Sequence, residues 1–176
     1  MINKKIKLLE EDHAKHISSH INWAEETQVP FTKEGKKEVY SDPITESLLL
    51  FLKPKIQETY GKELVPTYSY WRTYYKNQCL VPHRDRPSCE VSVTLTIDTS
   101  DKDAVWGIYV DGTEYKPQIG EGVIYRGCEQ EHWRNDLPYD WHRQVFLHYI
   151  EKDGVNYPEY VFDKRENLYF NMYIAN

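Results

Sequence analysis

Cysteine is scarce in this sequence, and long apolar runs are absent. The 176 residues include three cysteines, Cys79, Cys89 and Cys128, an odd number without a zinc-type pairing. No charged-then-apolar leader opens the chain. The longest uninterrupted apolar run, Leu48–Leu52, is far shorter than the roughly 18 residues that a membrane-spanning helix needs. We therefore expect a protein of the reducing cytoplasm that does not insert into a membrane.

Basic residues are outnumbered by acidic ones, 22 against 28, which gives a formal net charge of −6. This balance disfavours nucleic acid and anionic membranes as partners.

The chain also lacks repeats, linkers and low-complexity segments. We therefore predict a single domain, with N-terminal helices at about 11–61, a core at about 64–151 and a tyrosine-rich tail at 155–176. The oligomeric state stays open.

Two segments near the N-terminus predict helices. Residues 11–26, with Asp12 as a candidate cap, place four apolar side chains on one helical stripe: Ala14, Ile17, Ile21 and Ala24. The second segment starts with a cap and Pro43 and closes at Gly61. Pro54 lies inside this segment and is expected to break or kink the helix.

The 15 tyrosines and five tryptophans favour strands and pocket walls, where aromatic side chains pack well. From 64 to 151, short strand-like runs alternate with turn residues, including Asp-Gly pairs at 111–112 and 153–154. Regularly spaced short strands without intervening helices indicate a sandwich or a jelly roll. The tail that follows is too apolar for a free end, so we expect it to pack on the body of the protein or on another subunit.

Metal-ligand chemistry is suggested first by His83 and Asp85, in the sequence LVPHRDRPSC at 80–89. Two residues apart on a strand, these side chains share one face and lie about 6 to 7 Å apart along it. That spacing suits two ligands of one ion. An exposed turn before a strand is the alternative interpretation of this segment.

A third ligand is needed for the arrangement of two histidines and one carboxylate that non-heme Fe(II) oxygenases use, which leaves metal positions open for substrates. His132 lies in the strand-like segment 131–134, shortly after a turn. His142 and His148 lie in or beside the last strand. These positions alone leave the choice of the third ligand open.

Three segments together resemble the 2-oxoglutarate and Fe(II)-dependent dioxygenases, and in particular the prolyl 4-hydroxylase-like group. They are YYKNQCLVPHRD at 74–85, PQIGEGVIY at 117–125 and EHWRNDLPYDWHRQ at 131–144, in the order H-x-D, then His, then Arg. The H-x-D motif alone is a weak signal, whereas the ordered set is fairly specific. The resemblance covers about half of the chain, from 64 to 151. It implies a mainly β fold, the double-stranded β-helix or jelly roll, here flanked by N-terminal α-helices.

Carried over residue by residue, the resemblance implies that His83, Asp85 and His132 hold Fe(II). It also implies that Arg143 and Tyr74 bind the distal carboxylate of 2-oxoglutarate. A guanidinium suits this role because its planar fork makes two charge-assisted hydrogen bonds and keeps its charge when buried.

Neighbouring side chains would complete the pocket. Residues on the strand face of Arg143 would form an apolar wall: Val145 and Leu147. Residues on the strand face of Tyr74 would form a polar and aromatic wall: Tyr68, Tyr70 and Arg72. Arg134 shares a strand face with His132, which predicts a position at the pocket mouth or in solvent.

Two departures from the family pattern matter. Asn77 stands where the family usually has glycine, and asparagine also adopts positive φ. The step from His132 to Arg143 is lengthened, which leaves a rival in which His142 is the third ligand and Lys152 is the cation. Lys152 lies in a turn, where a lysine is normally solvated, so this rival is disfavoured.

The reaction that the resemblance implies is oxidative decarboxylation of 2-oxoglutarate coupled to hydroxylation of an unactivated C–H bond. It requires Fe(II), 2-oxoglutarate and O2, with ascorbate as a candidate reductant. Asp85 fills the place that a halide would need, which favours hydroxylation over halogenation. Prolyl residues of a protein or peptide are the first candidate substrate, and a free amino acid or other small metabolite is the alternative. A catalytically silent jelly-roll binding module is a different class of function, and it predicts no iron dependence.

Overall fold

The structure is a computed structural model that describes residues 3–33 and 35–168. Within these ranges the chain forms two α-helices, α1 (Glu11–Thr27) and α2 (Pro43–Tyr60). The strands are β1 (Lys4–Lys7), β2 (Lys37–Tyr40), β3 (Leu64–Tyr75), β4 (Leu80–His83), β5 (Val91–Thr99), β6 (Ile108–Val110), β7 (Thr113–Tyr115), β8 (Glu121–Tyr125), β9 (His132–Arg134) and β10 (Trp141–Glu151). The protein is therefore mainly β with flanking helices, as predicted.

Two antiparallel sheets enclose an interior and form a jelly roll. The larger sheet has the strand order β1-β8-β5-β10-β3-β2, and the smaller has the order β4-β9-β6-β7. Strands that pair are far apart in the chain: β10 lies between β3 and β5. Such non-consecutive pairing across two sheets is typical of the jelly roll. The predicted fold class is confirmed.

One face of the larger sheet packs against the helices and the other lines the interior, and the side chains of β10 are divided between these two faces. Val145 and Leu147 face outward and belong to the main core with apolar residues of α1 and α2. Phe146 faces inward and belongs to a smaller cluster with Tyr74 and Trp106. Because side chains alternate along a strand, the even-numbered residues of β10 line the interior of the barrel and the odd-numbered ones face the helices.

Helix α1 buries the predicted apolar stripe: Ala14, Ile17, Ile21 and Ala24. The helix begins after Glu10, whose side chain makes no capping hydrogen bond. The prediction of Asp12 as the cap is therefore wrong by two positions. Asp12 lies in the first turn, where its carboxylate still complements the helix dipole.

Helix α2 begins and ends where its sequence signals predict. Asp42 caps it by accepting a hydrogen bond from the backbone N of Ile44 at 3.0 Å, and Gly61 closes it with φ of 90°. Pro54 was predicted to break or kink the helix; the break is wrong, because the helix runs through this residue. Proline has no backbone N–H, so the backbone oxygen of Leu50 lacks its usual hydrogen-bond donor in the helix. Leu50 is exposed, so water can donate to this oxygen instead. No helix in the described ranges combines the length and the apolar character that crossing a membrane requires.

Turn residues in left-handed conformations connect the strands. Asp111 and Gly112, with φ of 47° and 79°, join β6 to β7 at the first predicted Asp-Gly turn. Asn77 has φ of 66°, so it serves the turn that a glycine would otherwise make. Gly120 has φ of 77°, and a Cβ there would lie 2.2 Å from the backbone oxygen of Leu9. This position therefore excludes any residue with a side chain.

The described part of the tail, 155–168, packs on the body of the protein, as predicted. Leu168 is buried in the main core. Arg165 donates to the backbone oxygen of Thr67 at 3.0 Å. The rest of the predicted tyrosine-rich tail, 169–176, lies outside the described residues.

Candidate metal centre and co-substrate pocket

Two histidines lie side by side on paired strands of the smaller sheet. His83 ends β4, His132 begins β9, and the two are register partners with ring centroids 4.2 Å apart. The Nδ1 atom of His83 lies 2.8 Å from the backbone oxygen of Val81, and that of His132 lies 2.9 Å from the backbone oxygen of Gln130. A carbonyl oxygen only accepts hydrogen bonds, so each Nδ1 carries the hydrogen. Each Nε2 is thus left to act as a metal ligand.

Asp85 follows β4 and faces both imidazoles. Its Oδ1 lies 3.3 Å from Nε2 of His83, and its Oδ2 lies 3.6 Å from Nε2 of His132. Burial opposes ionisation, but the adjacent imidazoles, which donate to this carboxylate when they carry a second proton on Nε2, outweigh it and hold the pKa of Asp85 well below its usual range. A Cβ at Gly127 would lie 2.4 Å from Oδ2, so the glycine leaves room for this carboxylate. Asp85 is therefore ionised at neutral pH, which is the state that a metal ligand requires.

The three predicted ligands come together in one group. The ligand atoms of His83, Asp85 and His132 all lie within 4.8 Å of one another. Two imidazole nitrogens and one carboxylate oxygen fit a divalent transition metal such as Fe(II), and they leave coordination positions for other ligands. The donor chemistry thus agrees with the metal that the sequence predicts.

The rival arrangement is not assembled in the structure. His142 lies at the opposite end of β10 from the ligand group, where Nδ1 is 2.9 Å from the Tyr139 hydroxyl and Nε2 is 2.5 Å from the amide nitrogen of Gln144. Lys152 is half-exposed and pairs with Glu63 at 2.9 Å. Neither side chain approaches the metal ligands.

Ser92 and His148 form a hydrogen-bonded chain that reaches Asp85. Ser92 Oγ lies 3.3 Å from Oδ2 of Asp85, 3.2 Å from the backbone oxygen of Cys89 and 3.0 Å from Nδ1 of His148. Burial lowers the pKa of His148 to about 4, so this imidazole is neutral near pH 7. The serine hydroxyl donates its one hydrogen to the carboxylate or to the Cys89 carbonyl, so in either case it accepts from the Nδ1–H of His148. When the hydroxyl donates to Asp85, this chain orients one of its carboxylate oxygens.

Arg134 is a buried cation inside the barrel. It lies two residues after His132 on the same face of β9, and it is 1% exposed. Its guanidinium donates to the backbone oxygens of Trp106 at 2.8 Å and Gly107 at 3.3 Å, and to Oγ1 of Thr94 at 3.2 Å. In the part of the chain that the structure describes, no carboxylate pairs with it, and its Nε has no hydrogen-bond partner. The expectation of a position at the pocket mouth or in solvent is wrong.

Tyr74 faces the same interior from β3. The residue is fully buried, and its hydroxyl has no partner among the described residues. Burial raises the pKa of Tyr74, while the nearby charges of Arg72 and Arg134 oppose the rise. The Tyr74 hydroxyl has no partner and the Arg134 guanidinium in the same interior has no counter-charge, and these two features together fit a carboxylate group. The predicted place of Tyr74 in the pocket agrees with this geometry.

Arg143 lies outside this pocket, contrary to the sequence-based expectation. Its guanidinium faces α1, where it pairs with Glu25 at 2.8 Å and donates to Ser18 Oγ at 2.8 Å. Val145 and Leu147, expected as a pocket wall, pack with the helices on the same outer face. The reason is strand alternation, because a shift of one residue moves a side chain to the opposite face of a sheet.

Comparison with protein families and with curated proteins finds no match for this sequence. Solved structures do match. A Pseudomonas putida prolyl-4-hydroxylase is 14% identical with a TM-score of 0.66, over 85% of this chain and 92% of that one. An oxidoreductase of the 2OG-Fe(II) oxygenase family from Burkholderia pseudomallei is 12% identical with a TM-score of 0.63, over 84% and 83%. HygX from Streptomyces hygroscopicus, with nickel, 2-oxoglutarate and hygromycin B bound, is 11% identical with a TM-score of 0.65, over 86% and 83%.

The fold is that of the 2OG-Fe(II) oxygenases. At these identities the likeness concerns the fold, and the argument for chemistry comes from the residues inside it. Inside this fold, the structure brings together His83, Asp85 and His132, the three ligands that the sequence predicts, and buries Tyr74, but Arg134 was not predicted as an interior cation. The signal that points to Arg134 is its spacing from His132, since a residue two positions from an inward-facing ligand also faces inward.

Proposed function

We propose that this protein is a 2-oxoglutarate- and Fe(II)-dependent oxygenase that hydroxylates an unactivated C–H bond. The observation that carries the proposal is the presence, inside one oxygenase-type barrel, of the ligand group His83, Asp85 and His132 together with the uncompensated cation Arg134. A small dicarboxylate can use both features, with one end on the metal and the other on the guanidinium. The HygX structure, which holds nickel and 2-oxoglutarate, supports this interpretation.

Each residue has its own task in this mechanism. His83 and His132 would hold the metal through Nε2, and Asp85 would supply the single negative charge of the ligand group. Arg134 and the Tyr74 hydroxyl would bind the distal carboxylate and so orient the 2-oxo acid end of the co-substrate toward the metal ligands. When bound, Fe(II) together with 2-oxoglutarate and O2 supplies the oxidation, which yields succinate and CO2 and adds oxygen to the substrate.

For the substrate, we infer a prolyl residue of a protein or peptide as the first candidate. The structural match to a prolyl-4-hydroxylase supports it. The match to HygX with hygromycin B bound supports the alternative, a small molecule. Ascorbate as a reductant and a cytoplasmic location stay predictions of the sequence.

The proposal is tested by anaerobic titration with Fe(II) and 2-oxoglutarate, followed by admission of O2. We expect iron and 2-oxoglutarate to bind, succinate to form, and one oxygen atom to be added to a substrate in a panel of prolyl peptides and free amino acids, read by mass spectrometry. The Asp85→Ala protein is the control. A protein that binds neither iron nor 2-oxoglutarate and forms no succinate would instead be the silent binding module.

The third ligand is tested by comparing two histidine variants. We expect His132→Ala to be inactive, because it removes a metal ligand, and His142→Ala to keep measurable turnover. Replacement of a residue that supports the ligands without binding the metal typically lowers activity about 10- to 100-fold. The measurement is the rate of succinate formation at saturating iron and 2-oxoglutarate. The opposite ranking would transfer the ligand role to His142.

A further inference from the structure

Arg86, the residue directly after the metal ligand Asp85, is held by the C-terminal segment. Its Nη1 and Nη2 donate to the two carboxylate oxygens of Asp163 at 2.6 and 2.7 Å. The guanidinium also lies 4.6 Å from the ring centroid of Tyr68. The side chain of Asp163 is 8% exposed, so the carboxylate end of this pair is shielded from water. A two-point ion pair of this kind fixes both the position and the orientation of the arginine.

The backbone around Asp163 adopts an unfavourable conformation that presents its carboxylate to Arg86. Phe162, Asp163 and Lys164 all have positive φ, of 49°, 56° and 64°. Left-handed backbone is disfavoured for residues with a Cβ, and it persists only where surrounding contacts impose it. One such contact is the Tyr40 hydroxyl, which donates to Oδ2 of Asp163 at 2.5 Å. The segment is therefore ordered around this carboxylate.

The loop that carries Asp85 is held from two sides. On one side, the backbone N of Asp85 donates to the oxygen of Gly127 at 2.9 Å, and the thiol of Cys128 donates to the oxygen of Arg86 at 3.0 Å. On the other side, Asp163 holds the Arg86 side chain. Arg86 directly follows Asp85, so holding the Arg86 side chain in place limits the conformations that the loop carrying Asp85 can adopt.

We propose that Asp163 is a positioning residue of the metal centre, which acts through its ion pair with Arg86 to hold the Asp85 carboxylate in reach of His83 and His132. The C-terminal segment thereby contributes to metal affinity although none of its described residues is a ligand. This inference rests on the proposed metal site.

The test measures Co²⁺ binding by the full-length protein, by titration calorimetry and by the visible spectrum of the bound ion. Asp163→Asn removes the charge, and Arg86→Lys keeps a charge but cannot make the two parallel bonds. We expect each to weaken Co²⁺ binding by about 10-fold or more and to change the spectrum of the saturated protein. Asp163→Glu, which retains a carboxylate, should recover part of the affinity. Glu159→Gln is the matched control, because Glu159 makes an exposed ion pair with Lys164 in the same segment.

The outcomes separate this inference from the proposed function. Wild-type affinity and an unchanged spectrum in Asp163→Asn and Arg86→Lys would overturn it, even if both variants melted at a lower temperature. An equal loss of affinity in Glu159→Gln would also overturn it, since the effect would then belong to the whole segment. If Asp163→Asn did not fold, the Co²⁺ affinity and spectrum of Arg86→Lys would test the inference alone. A wild-type protein without Co²⁺ affinity would reject the metal site itself, and this inference with it.

Discussion

Replacement of either His83 or Asp85 by alanine is expected to abolish iron binding and 2-oxoglutarate turnover while the fold stays intact. Each substitution removes one of three protein ligands, and the remaining two leave the ion with too few bonds to compete with water. The fold should survive because neither side chain belongs to an apolar core cluster. The measurement is iron content after anaerobic loading, together with succinate formation and the far-ultraviolet circular dichroism spectrum.

A matched control for these variants is His13→Ala, since His13 is an exposed histidine of α1. It should retain full iron content and turnover. Wild-type iron occupancy in both His83→Ala and Asp85→Ala would show that the ligand assignment is wrong. Loss of folded structure in one of them would shift the decision to the other.

Saturation with 2-oxoglutarate is expected to stabilise the folded protein, and Arg134→Gln is expected to remove most of this effect. At 100 times Kd a ligand stabilises by ~2.7 kcal/mol, which for a domain of this size is roughly 5 to 10 °C in Tm. Two hydrogen bonds to a charged group contribute at least about 3 kcal/mol, so Kd should rise roughly 100-fold in the variant. At the same concentration the stabilisation should then fall to about 0.4 kcal/mol.

Melting curves with a redox-inert divalent metal in place of iron measure this shift, with succinate and with no ligand as references. Arg143→Gln is the matched control: the variant should melt at a lower temperature because Glu25 loses its buried partner, yet the shift caused by 2-oxoglutarate should stay complete. An unchanged wild-type melting temperature would count against the oxygenase function. A full shift in Arg134→Gln would keep the co-substrate and move its anchor to another residue.

The candidate metal ligands could be proposed from the sequence because they stand in short motifs. The pair His83 and Asp85 follows from its two-residue spacing, whereas His132 was chosen over His142 by the resemblance to the dioxygenases. The proposed co-substrate anchor was misassigned for a different reason. Arg134 shares a strand face with His132, which is a local signal that it faces inward, whereas the position of Arg143 on its strand does not show which face of that strand points inward.

The sequence by itself determined the mainly β jelly-roll class, the two N-terminal helices, the main turns and the candidate metal ligands. The helices and turns follow from periodicity and from Pro, Gly and Asp signals, which act over a few residues, whereas the jelly roll and the full set of candidate ligands follow from the resemblance to the dioxygenases. The tertiary structure alone decided that Arg143 faces α1 and pairs with Glu25, that Arg134 is buried in the interior, and that Asp163 pairs with Arg86 next to Asp85. The physical reason is that charge pairing is settled only by strand register and long-range packing, since a one-residue shift in a strand exchanges the two faces of a sheet.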